Sequence, residues 1–542
     1  MATLEALLAA LGAHEGEAPP EAAPPSLGPP RRCHLPEGLR TWGFAVQLYS
    51  LRSRRSWGLG DYGDLRDLAR WSASLGAGVL LLNPVHFSTP VAPVPPSPYS
   101  PSSRRFREPL YLRVEDVPGA REALGADLAT LQRQGTALND APLIDRDAVF
   151  ALKLGALRRV FRHVAAHDAA DLDAWRSSQG ADLDAFGVWC ALAEEHGASW
   201  PAWPAALQRR GSREVAGAAS RLRETARFHV WLQWQVDRQL AAAAHELPLL
   251  HDLAIGVDPG GVDAWLWPSA VARGVHVGAP PDLFNTQGQD WGIAPFHPWG
   301  LLAAGFAPFA DVLRACLRGA GGLRIDHVMG LARLYWIPPG ATPRDGAYVR
   351  YPANELFDVL AAESVRAQAF VVGEDLGTVQ RSMRRQMAAR DVLSYRLLWF
   401  EDDAPALWPQ RALAAVTTHD LPTVAGVWTG ADLRDQQRAG TRPDVARNTE
   451  LRSRLARVAR LSEDASVADA VLGAYRALSG APSAVVLATL EDALAVAARP
   501  NMPGASREQW PSWSLPLPLP LEELSELPLP RRIAEVLGRR SG

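Results

Sequence analysis

Apolar residues along this chain fall into two patterns, short unbroken runs and long stripes at helical spacing. Phe44-Ala45-Val46-Gln47-Leu48-Tyr49 and Gly78-Val79-Leu80-Leu81-Leu82-Asn83-Pro84 are short runs that read as buried strands. A helix is expected between them, over about 64–75. Strand, helix, strand in that order opens a parallel α/β arrangement. From about 143 to 246 the pattern turns helical. Phe150, Leu154, Leu157, Phe161 and Val164 make one stripe, and further helices are expected over 183–196 and 218–244. Strand-like runs return at 248–255, 321–327, 369–375, 395–400, 413–420 and 484–491. At 542 residues the chain fits one barrel enlarged by insertions as well as it fits two or three domains.

The connecting stretches have their own character. Leu4, Leu7, Leu8 and Leu11 predict a small amphipathic helix within residues 1–13, and 14–37, rich in Pro, Ala and Glu, reads as a linker or wrapping arm. Residues 88–109 form a long Pro/Ser-rich segment around Ser97-Pro98-Tyr99-Ser100, a length that favours a functional loop. Gly288-Gln289-Asp290-Trp291-Gly292 reads either as a mobile loop carrying a ring or as a static turn. The chain contains no convincing internal repeat.

Composition narrows the function classes. Hydrophobic residues make up 47% and charged residues 21%, enough for a large core. The formal net charge of −3 argues against a general polyanion binder, nucleic acid included, despite Arg104-Arg105. The 19 tryptophans are an informative excess: they read as large core residues or as aromatic platforms in a cleft, since flat rings suit the apolar faces of sugars and bases. Cys33, Cys190 and Cys316 are widely spaced and read as free thiols in a reducing compartment. No apolar run reaches membrane-spanning length and no secretory signal is evident, so a cytoplasmic protein is expected.

Three of the strand-like runs end in acids: Arg324-Ile325-Asp326-His327, Gly373-Glu374-Asp375 and Thr418-His419-Asp420. Glu374 follows Asp326 by one strand–helix unit and Asp420 by three, so all three acids can gather at one barrel mouth. Taken singly, each acid is as well explained as a helix cap. Together, with two histidines and an arginine, they point to a metal or to a charged transition state. The histidines are too sparse for the zinc-rich pattern of metal-dependent barrels, and no phosphate-binding loop is present. Glycosyl transfer fits better. A retaining mechanism takes one ionised carboxylate as nucleophile and one protonated carboxyl as acid and then base. Arg324 is expected to keep Asp326 ionised, and nearby negative charge to raise Glu374.

At these residues the sequence resembles the amylomaltase family, the 4-α-glucanotransferases, which are related to the α-amylases. Further matches are Arg54-Arg55-Ser56-Trp57-Gly58-Leu59-Gly60-Asp61, the Tyr99 and Trp291 segments, Asn501-Met502-Pro503-Gly504 and Trp510-Pro511-Ser512-Trp513. The resemblance covers about 42–513. It implies a (β/α)8 TIM barrel over 38–542, with a helical insertion over about 110–246 and no separate C-terminal β-domain. It implies Asp326 as nucleophile, Glu374 as acid/base and Asp420 as transition-state stabiliser. Sugar contacts are implied for Arg324, His327, His419 and Tyr99, and Trp291 is implied on a flexible loop over the acceptor side. Asp252 matches another shared strand end. The implied substrates are maltooligosaccharides and other α-1,4-glucans, with no metal or cofactor. An α-amylase-like hydrolase and a binding protein on an inactive barrel stay open as alternatives.

Overall fold

The computed structural model describes residues 2–12, 31–165, 169–281, 287–377 and 379–540. Eight parallel strands form the centre: β1 (Thr41–Val46), β2 (Val79–Leu82), β3 (Leu249–Leu253), β4 (Gly322–Ile325), β5 (Phe370–Gly373), β6 (Ser394–Leu397), β7 (Ala412–Ala415) and β8 (Val485–Thr489). Their order in the sheet is β5-β4-β3-β2-β1-β8-β7-β6. Leu393, just before β6, closes the barrel: its N–H donates to Val371 O at 2.9 Å and its carbonyl accepts from Gly373 N at 2.8 Å. The fold is a (β/α)8 TIM barrel.

Alternation along each strand separates two apolar surfaces. Val79, Leu81, Leu250, Phe370, Val372, Tyr395, Leu397, Leu413, Val485 and Leu487 pack together inside the barrel. Phe44, Leu80, Leu82, Leu249, Leu323, Val371, Ala414 and Val486 join the larger core under the helices. Gly322 keeps the interior within bounds, since a Cβ there would sit 2.8 Å from Leu250 and 2.9 Å from Phe370. The same inward series places Asp252 two residues on from Leu250 within β3, Arg324 two on from Gly322 within β4, and Glu374 two on from Val372, one residue past β5. Alternation thus delivers polar side chains to one mouth.

The helix after β1, Tyr62–Ser74, starts at a capping box. Asp61 accepts from Asp64 N at 2.9 Å, and Asp64 accepts from Asp61 N at 3.0 Å. The fully buried Arg113 ties both carboxylates to the segment that follows β2. Between β2 and β3 the chain is mainly helical, with Arg146–Val164, Ala181–His196, Arg213–Arg221 and Arg223–Glu246 among its helices. The third expected helix is therefore two, broken at Leu222. Residues 88–109 are not one loop: Ser103–Arg107 pairs antiparallel with His86–Phe87, and Tyr99 lies in the segment between. Arg104 and Arg105 are internal. Arg104 donates to Ala254 O and Ile255 O, and Arg105 to Asp182. After Thr489 the described residues contain no further strand.

The N-terminal helix spans Ala2–Leu11, with Leu7 buried. Most of the expected arm, 13–30, lies outside the described residues. Its end is anchored, with Cys33 N donating to Arg390 O at 2.8 Å and His34 N to Ser364 Oγ at 2.9 Å.

Candidate active site

All nine site residues expected from the sequence meet at the C-terminal mouth of the barrel. Tyr99, Trp291, Asp326, His327, Glu374, His419 and Asp420 line one cleft of about 460 Å³. Asp252 and Arg324 line an adjoining space that shares Tyr99 and His419 with that cleft.

Strand register sets the acid pair. Ile325 and Gly373 are direct partners across β4 and β5, so Asp326 and Glu374 follow side by side. Asp326 N donates to Leu253 O at 3.0 Å, and Glu374 N to Ile325 O at 2.9 Å, which carries the ladder one residue past each strand. Both oxygens of Glu374 accept main-chain N–H groups, Oε2 from His327 and Oε1 from Leu376, each at 2.8 Å. His327 occupies the left-handed region at φ 45°. That conformation is costly for a non-glycine residue and is found where a site requires it.

Arg324 bridges two carboxylates. Its Nη1 donates to both oxygens of Asp252 at 2.6 and 2.7 Å, and its Nη2 to Asp326 Oδ1 at 3.0 Å. Tyr99 OH donates to Asp252 Oδ2 at 2.7 Å and lies 3.4 Å from His419 Nδ1. On the other side of that ring, His419 Nε2 lies 3.4 Å from Asp420 Oδ2.

Asp420 stands beyond β7, which ends at Ala415, and not on the strand itself. Its loop is held from the segment after β8. Asn501 Nδ2 donates to Asp420 Oδ1 at 2.7 Å, Asn501 N to His419 O at 3.1 Å, and Arg499 Nη1 to Asp420 O at 3.2 Å.

Trp291 is on a strand and not on a loop. Gln289–Ile293 pairs antiparallel with His276–Ala279, inside a small sheet that also holds Arg333–Ile337 and Ala347–Arg350. Residues 282–286, between those two strands, lie outside the described residues. The Trp291 ring meets His327 edge-on at 5.7 Å, and its Nε1 donates to Gln289 Oε1 at 2.9 Å.

Electrostatics distinguishes the three acids. Burial pushes Asp326 up to about 7; Arg324 opposes this, but Asp252 and Glu374 add to the rise. Arg324 thus acts in the expected direction, lowering Asp326, but burial outweighs it. Glu374 is also raised, chiefly by burial, against Arg324 and its two N–H donors. Side by side, the two carboxyls titrate as a coupled pair, both raised above their ordinary range. Burial would raise Asp420 too, but the charge and hydrogen bond of His419, with Asn501, hold it at about 2. His419 is raised in turn, since Asp420 outweighs the cost of burying it. The site thus sets two carboxyls that are raised beside a third that is held low.

Several site residues carried no assigned role in the sequence reading. Asn501 and Trp513 stood there only as parts of motifs. Trp513 stacks obliquely on Tyr99 and His419, with ring centres 5.3 and 5.2 Å away. Tyr395, on β6, lies under the Arg324 guanidinium at 5.7 Å.

The family model described as 4-alpha-glucanotransferase matches residues 46–520 of this chain. The chain belongs to that family. Among its relatives, the 4-alpha-glucanotransferase of Mycobacterium tuberculosis strain H37Rv is 42% identical over 527 residues, covering 89% of this chain and 71% of that protein. That of Haemophilus influenzae is 36% identical over 429 residues, covering 73% of this chain and 61% of its own length. The crystal structure of amylomaltase from Corynebacterium glutamicum superposes with a TM-score of 0.83 at 34% identity, over 92% of this chain and 75% of that one. The barrel described above is therefore that of a 4-alpha-glucanotransferase, and glucanotransfer is favoured over plain hydrolysis. Among the described residues, no helix is long and apolar enough to cross a membrane.

Proposed function

We propose that this 4-alpha-glucanotransferase cuts an α-1,4-glucan by double displacement, with Asp326 as nucleophile, Glu374 as acid/base and Asp420 as stabiliser. The observation that carries this reading is the register of β4 and β5. Neighbouring strands lie ~4.8 Å apart, and a retaining pair of carboxyls needs ~5–5.5 Å. In the first step Glu374 gives its proton to the glycosidic oxygen while an ionised Asp326 oxygen attacks the anomeric carbon. The leaving glucan departs with a free 4-OH, and the donor fragment stays on Asp326 as an ester. In the second step Glu374 takes the proton from an acceptor's 4-OH, which displaces Asp326. Each step inverts the anomeric carbon, so the α linkage is kept.

Asp420, ionised throughout, offsets the positive charge that develops on the ring and accepts from its hydroxyls. His419 and Asn501 hold that carboxylate in place. Trp291 and His327 wall the acceptor side, where a bound sugar excludes water. We take maltooligosaccharides and longer α-1,4-glucans as donors and acceptors. We place the enzyme in the cytoplasm, a reading supported by three free, buried cysteines.

Incubation with maltotriose and separation of the products by size tests this reading. Glucose plus a ladder of longer maltodextrins is expected, and Asp326→Asn abolishes the ladder. Glucose and maltose alone would make the enzyme a hydrolase. A ladder from the Asp326→Asn variant would sink the nucleophile assignment.

A further inference from the structure

Below the acids, between Tyr99 and His419, a second space of about 30 Å³ opens into the barrel interior. It is large enough for one water-sized group. Its walls include Gln47, Asn83, Asp252, Tyr395 and Glu491.

Two of these polar walls are already engaged. Asp252 is taken by Arg324 and Tyr99. Asn83 accepts from Leu48 N at 2.7 Å and donates to Pro84 O at 2.8 Å. Gln47 and Glu491 stand out among the rest. Gln47 is 9% exposed, and its Oε1 has no hydrogen-bond partner. Glu491 is 7% exposed, and the one hydrogen bond recorded for its carboxyl comes from its own main-chain N–H. A buried amide oxygen without a partner is expensive, and so is a buried carboxyl facing an empty space. Burial, with Asp492 nearby, raises Glu491 to about 7, so near neutral pH it can offer an O–H as well as accept. Gln47 follows the inward-facing series Gly43-Ala45 one residue past the end of β1, and Glu491 stands in the short helix Leu490–Ala493 that follows β8.

Tyr99 and His419 line both this space and the cleft, so the two adjoin. A pyranose ring over Asp326 has hydroxyls at its rim and one that stands a bond further out, on the hydroxymethyl arm. That arm suits a narrow, water-sized recess holding one leftover acceptor and one group able to donate. We infer that Gln47 and Glu491 read the hydroxymethyl group of the sugar ring held on Asp326, and so set the demand for glucose in the donor position. The inference rests on the reading of Asp326 as nucleophile.

The test uses the full chain with α-maltotriosyl fluoride and with its analogue lacking the 6-hydroxyl on the fluorinated ring, glucose as acceptor, and fluoride release as the signal. Wild-type kcat/KM is expected to favour the intact donor about tenfold or more, the worth of one well-made buried hydrogen bond. Glu491→Met and Gln47→Met, which keep the volume and remove the polar atoms, are each expected to bring the ratio below threefold. A structural role would slow both donors alike, so an unchanged ratio in both variants overturns the inference, as does a wild-type ratio near one. Asp326→Asn, assayed alongside, reports on the reading beneath. Fluoride release by that variant at the wild-type rate overturns the nucleophile, whereas the ratio speaks only to the recess.

Discussion

Replacing Arg324 by methionine asks how the mouth tolerates so many buried carboxyls. The guanidinium is 4% exposed and makes three hydrogen bonds, at 2.6 and 2.7 Å to Asp252 and at 3.0 Å to Asp326. Methionine fills part of that volume but leaves both carboxyls without a counter-charge. Removing one partner of a buried ion pair costs about 3–5 kcal/mol. An unfolding entropy of about 2.1 cal/mol/K per residue, over 542 residues, comes to about 1.1 kcal/mol/K. The melting midpoint should therefore fall by about 3–5 °C. The size of the fall depends on pH. Burial already raises Asp326, and losing Arg324 raises it further. A carboxyl whose folded pKa exceeds its unfolded value costs nothing where both states are protonated, and costs more as pH rises toward the folded value. Calorimetry at about pH 4.5 and about pH 8 should accordingly show a small loss at the lower value and the full loss at the higher. An equal loss at both would refute the reasoning, because packing and not charge would then be what Arg324 supplies.

Three further outcomes follow from the site. Asn501→Ala removes a donor at 2.7 Å to Asp420; a hydrogen bond to a charged group is worth about 1.5–3 kcal/mol, so kcat on maltotriose should fall about tenfold to a hundredfold. A change below about twofold would detach Asp420 from the transition state. Trp291→Ala opens the acceptor wall, and a larger share of maltotriose turnover should end in hydrolysis, measured as net gain of reducing ends; an unaltered share contradicts the placement of that ring. The pH profile of kcat/KM should fall on the alkaline side as the raised pair loses its last proton. With a glycosyl fluoride donor, which needs no acid, Glu374→Gln should lose that alkaline limb; a limb that persists would belong to another group.

The barrel was readable because a parallel strand buried on both faces must be an unbroken apolar run, and eight such runs stand in the chain in the right order. The hairpin carrying Trp291 was not. Its strands are short, polar and half-exposed, so Gly288 and Gly292 dominated the pattern and a loop was expected where Gln289–Ile293 pairs. The three acids were readable as a set because each follows an apolar run. The net protonation of Asp326 was not readable, because it is set by burial, which outweighs the neighbouring Arg324 and which the local sequence does not display. Asn501, Trp513 and Glu491 reach the site from the end of β8, and nothing in their local sequence tells how far that segment folds back over the mouth.

The central claim is that the donor glucan rides on Asp326, and the most direct measurement is to catch it there. Glu374→Gln, incubated with α-maltotriosyl fluoride, can form the ester but lacks the base that releases it. Proteolysis and mass spectrometry should then find the sugar on the peptide that contains Asp326. Sugar on any other peptide, or an enzyme that turns over the fluoride and leaves every peptide bare, would contradict the claim.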